Sequence, residues 1–255
     1  MPLIEIFCLA AVAALAGAIN AIAGGGTLLT FPALLFFGTA PIVANATSTV
    51  ALVIGTAGSI FGFRQYLCII WPWLIRFALV SAAGGWLGSL LLTRTSDRAF
   101  VKLVPFLILF ATVLFLAQGA FRRFAGIGGE PSVHQRHVWV AVLFQFAVSV
   151  YGGYFGAGIG ILMLASLGFL GLRDIHQMNA LKNALGSIIN LVAAAWFIAS
   201  GLIDWPKAGV MTAGALVGYF IGAHFSQRIP QVATRRLITG IGFTISAVMF
   251  YRQFC

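Results

Sequence analysis

Charged residues are scarce in this chain. Only 8% of its 255 residues are charged, whereas an ordinary soluble domain carries about 25%. Apolar residues make up 61%, and the mean hydropathy is +1.03. The short alternating segments of a membrane β-barrel are absent, while uncharged stretches approach the ~20 residues that a membrane-spanning helix needs. The composition therefore predicts an all-α integral membrane protein.

Acidic residues and cysteines are rarer still. The five acidic residues lie at the N-terminal edge or in and beside connectors between apolar segments: Glu5, Asp97, Glu130, Asp174 and Asp204. We therefore expect no buried carboxylate for a cation site or a proton relay. The three cysteines form no CxxC pair. No Ser-His-Asp order and no P-loop occurs, so we expect no enzyme activity and no ATP-driven transport. His134 and His137 lack a third ligand, so we expect no metal, and we expect no cofactor.

The net charge of +10 would suggest nucleic acid as the partner of a soluble protein. Here the basic residues fall mainly in short connectors, where they meet lipid headgroups. We expect membrane lipid as a partner and no nucleic acid. A homodimer is compatible with the sequence but not required by it.

An internal duplication organises the chain. Residues 17–104 reappear without a gap 134 positions later. The matched pairs are Gly24 with Gly158, Gly26 with Gly160, Asn45 with Asn179, Trp71-Pro72 with Trp205-Pro206, and Gly84 and Gly88 with Gly218 and Gly222. We divide the chain into a first transmembrane repeat (1–119), a polar linker (120–137) and a second transmembrane repeat (138–255). Two homologous hydrophobic halves are typical of transporters whose substrate site lies between the repeats.

Each repeat contains about four spanning helices plus one short segment. The short segments, 27–38 and 159–171, follow glycines and are too short to cross ~30 Å of hydrocarbon, so they are predicted to be half-helices or re-entrant segments. If they return to the side they came from, the repeats are parallel; if they cross, the repeats are inverted. Basic residues do not decide, because the parallel arrangement puts six on each side. The Trp-Pro pairs are predicted to mark helix entry.

Two glycine clusters occupy equivalent places, Gly24-Gly25-Gly26-Thr27 and Gly156 to Gly160. Glycine lets the backbone approach a solute closely, and the N–H groups at the start of a new helix favour an anion. Close packing between helices is the alternative explanation for any one glycine.

Polar side chains follow each short segment near the start of the next helix. The first repeat has Asn45, Thr47 and Ser48; the second has Asn179, Lys182 and Asn183. Polar groups within an apolar helix are costly against lipid and should face a cavity. Lys182 corresponds to Ser48, which makes it an unmatched charge and the sharpest candidate for binding an anion; snorkelling to the interface is the alternative. Arg76 faces either lipid headgroups or the cavity.

The sequence Gly24-Gly-Gly-Thr-Leu-Leu-Thr-Phe-Pro32, followed by Pro41 and Asn45-Ala-Thr-Ser-Thr49, resembles the TauE/SafE family of sulfite exporters. The segments Gly156 to Gly160 and Asn179 to Asn183 are similar to the second repeat of that family. The resemblance covers nearly the whole chain. It implies a multi-pass protein of the bacterial plasma (inner) membrane that moves sulfite, sulfonates or other small organic anions.

We therefore expect a secondary transporter, specifically an exporter, of small sulfur-containing anions. Its predicted binding residues are Gly24, Gly25, Gly26, Thr27, Asn45, Thr47, Ser48, Gly158, Gly160, Asn179, Lys182 and Asn183. A passive anion channel could use the same groups. An integral membrane enzyme or assembly factor is the rival from a different class. An enzyme would need a catalytic constellation, and the sequence contains none.

Overall fold

The structure is a computed structural model that describes residues 1–22, 25–62, 67–124, 135–168, 175–225 and 231–254. These residues form ten α-helices and no strand. In chain order the helices are α1 (Leu3–Ile22), α2 (Thr27–Phe36), α3 (Pro41–Gly62), α4 (Leu67–Arg94), α5 (Asp97–Phe124), α6 (Gln135–Tyr154), α7 (Ile159–Gly168), α8 (Ile175–Ala199), α9 (Trp205–Phe225) and α10 (Gln231–Phe254). The all-α prediction is confirmed.

The lengths of the helices fall into two classes. Eight helices have 20 to 28 residues, whereas α2 and α7 have 10 residues each. At 1.5 Å per residue, α2 and α7 are about 15 Å long, half the thickness of a hydrocarbon core. Within the described residues, three segments are long and apolar enough to cross a membrane: Leu3–Ala21, Cys68–Arg94 and Gln177–Ala199.

The two halves of the chain interdigitate instead of forming separate bodies. α1 packs most extensively against α9, and α4 against α6 and α8. α3 lies against α8 and α9, and α5 lies against α10. Every one of these contacts joins a helix of the first half to a helix of the second half. The short helices lie within this bundle, where α7 packs on α5, α6 and α8.

Small residues make the closest helix contacts possible. On α9, Gly214 and Gly218 face the backbone of Ala10 and Ala14 on α1, and a Cβ at either glycine would collide with the opposing carbonyl. On α4, a Cβ at Gly84 would lie 2.6 Å from Ser149 Cβ of α6. Close approach through small residues is the usual way in which membrane helices associate, because lipid tails remove the hydrophobic drive between them.

The glycine contacts also give the directions of the paired helices. Gly214 and Gly218 meet Ala10 and Ala14 in increasing order on both helices, so α1 and α9 are parallel. Gly84 faces Phe146 and Ser149, and Gly88 faces Val150 and Tyr154, so α4 and α6 are parallel too.

The two Trp-Pro pairs lie at different places in their helices. Trp205-Pro206 begins α9, where a proline N–H would be unsatisfied anyway, and the predicted helix entry is confirmed there. The prediction is wrong for Trp71-Pro72, because α4 already begins at Leu67 and Pro72 lies inside it. Helices α5 and α6 extend to Phe124 and from Gln135, into the segment predicted as a polar linker.

Candidate functional site

The break between α6 and α7 is a tight, buried turn rich in glycine. Gly156 and Gly158 have φ values of +81° and +77°, which only glycine adopts at little cost. The Gly156 N–H donates to the Tyr151 carbonyl at 3.2 Å, and the Tyr151 hydroxyl donates to the Ala157 carbonyl at 2.8 Å. These bonds fold the turn back onto the last turn of α6. The predicted site residue Gly158 is buried in it.

Lys182 belongs to α8, and its side chain lies against the start of α7. Its side chain passes over Gly160, where an added Cβ would lie 3.4 Å from Lys182 Cδ. The Lys182 ammonium donates to Asn179 Oδ1 at 3.3 Å. Three predicted site residues from two helices therefore form one group. The positive end of the α7 dipole and a lysine ammonium share this place, which suits a negatively charged ligand.

The break between α1 and α2 is built differently. Gly25 has a φ of +95°, and Gly26 donates its N–H to Asn20 Oδ1 at 2.9 Å. Asn20 in turn donates from Nδ2 to the Tyr219 hydroxyl at 2.7 Å. A Cβ at Gly26 would lie 2.7 Å from the Ala16 carbonyl oxygen, so close packing accounts for this glycine. The Gly26 amide that the sequence assigned to an anion thus already has a protein partner.

Hydroxyl groups join α2 to α3. Thr30 donates to the Gly26 carbonyl at 3.2 Å, and its Oγ1 lies 2.5 Å from Ser48 Oγ. Both side chains are fully buried. Thr30 is a buried polar residue that the sequence prediction missed; a threonine within a short apolar helix was the available signal.

Asn45 connects the first half of the chain to the break of the second half. From α3 its Nδ2 donates to the Tyr154 carbonyl, at the C-terminal end of α6, at 3.1 Å. The side chain is 1% exposed, and its Oδ1 has no hydrogen-bond partner within the described part of the chain. Asn45 thus presents an acceptor, not the donor expected for an anion.

Thr47 lies next to a polar cluster at another place. Its hydroxyl accepts a hydrogen bond from the Asp204 N–H at 3.1 Å, directly before α9. Nearby, the Lys207 ammonium lies 3.1 Å from Glu5 Oε1, donates to Thr39 Oγ1 at 2.9 Å and donates to the Phe37 carbonyl at 3.1 Å. We call Glu5, Thr39, Asp204 and Lys207, with the Phe37 carbonyl, the Lys207 cluster.

The Lys207 cluster corrects one expectation. The sequence predicted no buried carboxylate, but Glu5 is 8% exposed and pairs with Lys207. The prediction failed because a carboxylate near a chain terminus looks solvated in the sequence, whereas the start of α9 packs over it. The signal for Lys207 was available, since an apolar helix follows it just as one follows Lys182.

The remaining predicted residues are scattered. Thr27 begins α2 and is half-buried, and Asn183 is half-buried on α8, where its carbonyl accepts the Ser187 hydroxyl. Gly24 lies outside the described residues. Arg76 is exposed, with its guanidinium 5.5 Å from the centre of the Trp73 ring, which fits the headgroup alternative.

Comparisons with known proteins bear on this arrangement. The sequence profile described as "Sulfite exporter TauE/SafE" matches residues 9–249. A "Probable membrane transporter protein" of Haemophilus influenzae is 31% identical over 255 residues, which covers 97% of this chain and 94% of the relative. The "Probable membrane transporter protein YfcA" of Escherichia coli K12 is 29% identical over 243 residues, 93% of this chain and 85% of the relative.

The "Probable membrane transporter protein YunE" of Bacillus subtilis is 24% identical over 235 residues, 84% of this chain and 86% of the relative. No solved structure matches the chain. The names of these relatives and the apolar helices support a membrane transporter over an enzyme. Because the family profile matches nearly the whole length of the chain, the chain belongs to the sulfite exporter TauE/SafE family.

Proposed function

We propose that the protein is a secondary transporter that exports small sulfur-containing anions, such as sulfite or organosulfonates, across the bacterial inner membrane as a multi-pass protein. The family description and the bacterial relatives support this substrate class and location. The observation that carries the proposal is the position of Lys182 against the start of α7.

The anion binds at the break between α6 and α7. Lys182 neutralises it, the amides at the start of α7 donate to its oxygens, and Asn179 and Asn183 line its approach. Gly160 permits this because a larger side chain there would displace the lysine stem. In the first half the Gly26 amide is taken by Asn20, which supports an asymmetric site. Ser48 stands where the second half has Lys182 and supplies no charge.

We also propose that the two repeats are inverted. The Lys207 cluster brings the start of α1, the end of α2 and the start of α9 to one end of the molecule. The chain therefore leaves this end through α1 and crosses back to it through α2, which is the crossing case. The start of α3 is at this end as well, through the bond from Asp204 to Thr47. Helix α4 follows α3 after a short connector and therefore runs opposite to α9, its equivalent in the second half.

The contacts between helices support a twofold relation between the repeats. Each helix of the first half has its equivalent five places later in the second half. Exchanging equivalents turns the contact between α1 and α9 into the contact between α6 and α4, and it turns the contact between α3 and α9 into the contact between α8 and α4; all four contacts are present. The pairs α3 with α8 and α5 with α10 map onto themselves. Such a pattern is expected from any pseudo-twofold axis between the repeats, and the opposite directions of α4 and α9 favour an axis that lies in the membrane plane, with the substrate site near the interface of the repeats.

An inverted arrangement removes the tie in basic residues. Eight arginines fall in or near the connectors at the end where α3 finishes and α4 begins: Arg64, Arg122, Arg123, Arg136, Arg173, Arg228, Arg235 and Arg236. Five basic residues fall at the opposite end: Arg94, Arg98, Lys102, Lys207 and Arg252. The positive-inside rule then places the arginine-rich end in the cytoplasm and both chain termini outside. An active alkaline phosphatase fused to the C-terminus would support this orientation, and an inactive one at normal protein level would contradict it.

The transport proposal is tested by flux measurements in proteoliposomes. The wild-type protein should move labelled sulfite in a saturable manner, and Lys182→Met should reduce the rate at least about tenfold because a desolvated charge pair is lost. Lys102→Met is the matched control, since Lys102 is an exposed lysine near the start of α5. Equal sulfite flux in wild type and Lys182→Met would remove the lysine from the mechanism.

A further inference from the structure

Among the residues that the structure describes, none forms a hydrogen bond with the buried oxygen of Asn45, and the surroundings of this oxygen have a definite chemical character. Asn45 Oδ1 is enclosed, while Nδ2 of the same amide is fixed by its 3.1 Å bond to the Tyr154 carbonyl. A buried acceptor without a donor is costly, so a native protein normally supplies a partner. This acceptor lies at the C-terminal end of α6, where helix carbonyls point outward and the helix dipole is negative.

The break therefore has two ends of opposite polarity. The start of α7, with Lys182 beside it, is positive, whereas the end of α6 with Asn45 offers neutral oxygens. In transporters with broken helices, the N-termini of half-helices face anionic groups, and unwound carbonyls and half-helix C-termini hold coupling cations. The partner that suits Asn45 Oδ1 is accordingly a cation.

The equivalent asparagine of the second half has a cation on the same atom. Asn179 corresponds to Asn45, and its Oδ1 accepts the Lys182 ammonium at 3.3 Å. In the first half the position equivalent to Lys182 is Ser48, whose hydroxyl bonds to Thr30 instead. The second half therefore brings its own positive charge to this amide oxygen, whereas no positive charge from the described residues meets the equivalent oxygen of the first half.

We propose that Asn45 Oδ1 and carbonyls at the end of α6 bind a monovalent cation, sodium, that takes the place of the ammonium seen in the second half. Neutral amide and carbonyl oxygens suit a singly charged ion, because divalent Ca²⁺ and Mg²⁺ are usually held through carboxylates. With the proposed transport function, this ion would be the coupling ion for the anion at the other end of the break. The cation site itself stands on Asn45 and does not require that sulfite be the substrate.

The test uses the purified full-length protein in detergent without any sulfur anion. The melting temperature is measured in sodium chloride and in choline chloride at equal ionic strength. Sodium should raise it in a saturable manner, by about 5 °C or more at a concentration near 100 times Kd. An identical melting temperature in both salts at all concentrations would overturn the proposal.

Variants at equivalent positions assign the effect to one atom. Asn45→Asp keeps the shape of the side chain and adds a negative charge, but it removes the Nδ2 donor to the Tyr154 carbonyl. We therefore expect a lower melting temperature without sodium, and a sodium effect that is half-maximal at a concentration at least about tenfold lower than in the wild type. Asn179→Asp is the matched control and should leave the sodium dependence unchanged, because its carboxylate pairs with Lys182. Ser48→Lys should abolish the sodium dependence by supplying a resident ammonium. Equal changes in Asn45→Asp and Asn179→Asp would overturn the assignment.

The result is separable from the transport proposal. A sodium-dependent melting temperature without sulfite flux would support the cation site and contradict the substrate, whereas sulfite flux without any sodium effect would do the reverse.

Discussion

Replacing Gly222 by alanine should loosen the seam between α1 and α9. An added Cβ would lie 2.6 Å from Ala18 Cα and 2.7 Å from the Ala18 carbonyl oxygen, whereas ordinary contacts begin at 3.4 Å. The nearest atoms belong to the backbone and cannot rotate away, so the helices must separate locally by about 0.8 Å. Overpacking of this kind costs about 1–3 kcal/mol. For a chain of this size, we expect the melting temperature to fall by about 2–12 °C.

The assay is the melting temperature of the purified protein. Unfolding is monitored as the loss of the monodisperse peak in size-exclusion chromatography after heating. Gly209→Ala is the matched control, because Gly209 lies on the same helix and an added Cβ there would meet nothing within 4 Å. Because alanine forms helices better than glycine does, by about 1 kcal/mol in water-exposed helices, Gly209→Ala should not lower the melting temperature. If Gly222→Ala melts at or above the temperature of Gly209→Ala, the close packing described for this seam is wrong.

Substitutions test three further contacts. Lys207→Met leaves the buried Glu5 carboxylate uncompensated and should destabilise the protein by about 3–5 kcal/mol. Glu5→Gln should cost less. If the fall in melting temperature of the double variant equals the sum of the two single falls, the pairing is refuted. Thr30→Val removes a buried hydroxyl between α2 and α3 and should cost about 1–3 kcal/mol in thermal unfolding, with no loss refuting that bond. Gly160→Val should raise the sulfite concentration for half-maximal flux by displacing Lys182, while Gly160→Ala, at ordinary contact distance, should change it little; equal values for both would argue against the position of the lysine.

The helices were largely predictable from the sequence because an unbroken apolar run of the right length has few alternatives in a bilayer. The start of α9 at Trp205 was predicted correctly, and the short helices α2 and α7 begin directly after glycines, as predicted. Pro72 misled the prediction because proline is common at helix starts but is tolerated inside membrane helices.

The site was less predictable because its contacts join residues far apart in the chain. Asn45 meets the Tyr154 carbonyl across 109 positions, and Asn20 meets Tyr219 across 199. Sequence periodicity shows which residues share a face of one helix, but it does not show which helix covers that face. The predicted grouping of Lys182 with Asn179 needed only local spacing along α8, and those residues do lie together.

The central claim is that this protein is a carrier for a small sulfur-containing anion, and counterflow of labelled sulfite tests it most directly. Proteoliposomes preloaded with unlabelled sulfite are diluted into a trace of labelled sulfite. A carrier with one anion site exposed alternately to each side should accumulate label transiently above equilibrium, at a rate that saturates with external sulfite. Uptake that never exceeds equilibrium and rises linearly with concentration would indicate a channel, and uptake equal to that of empty liposomes would contradict sulfite transport itself.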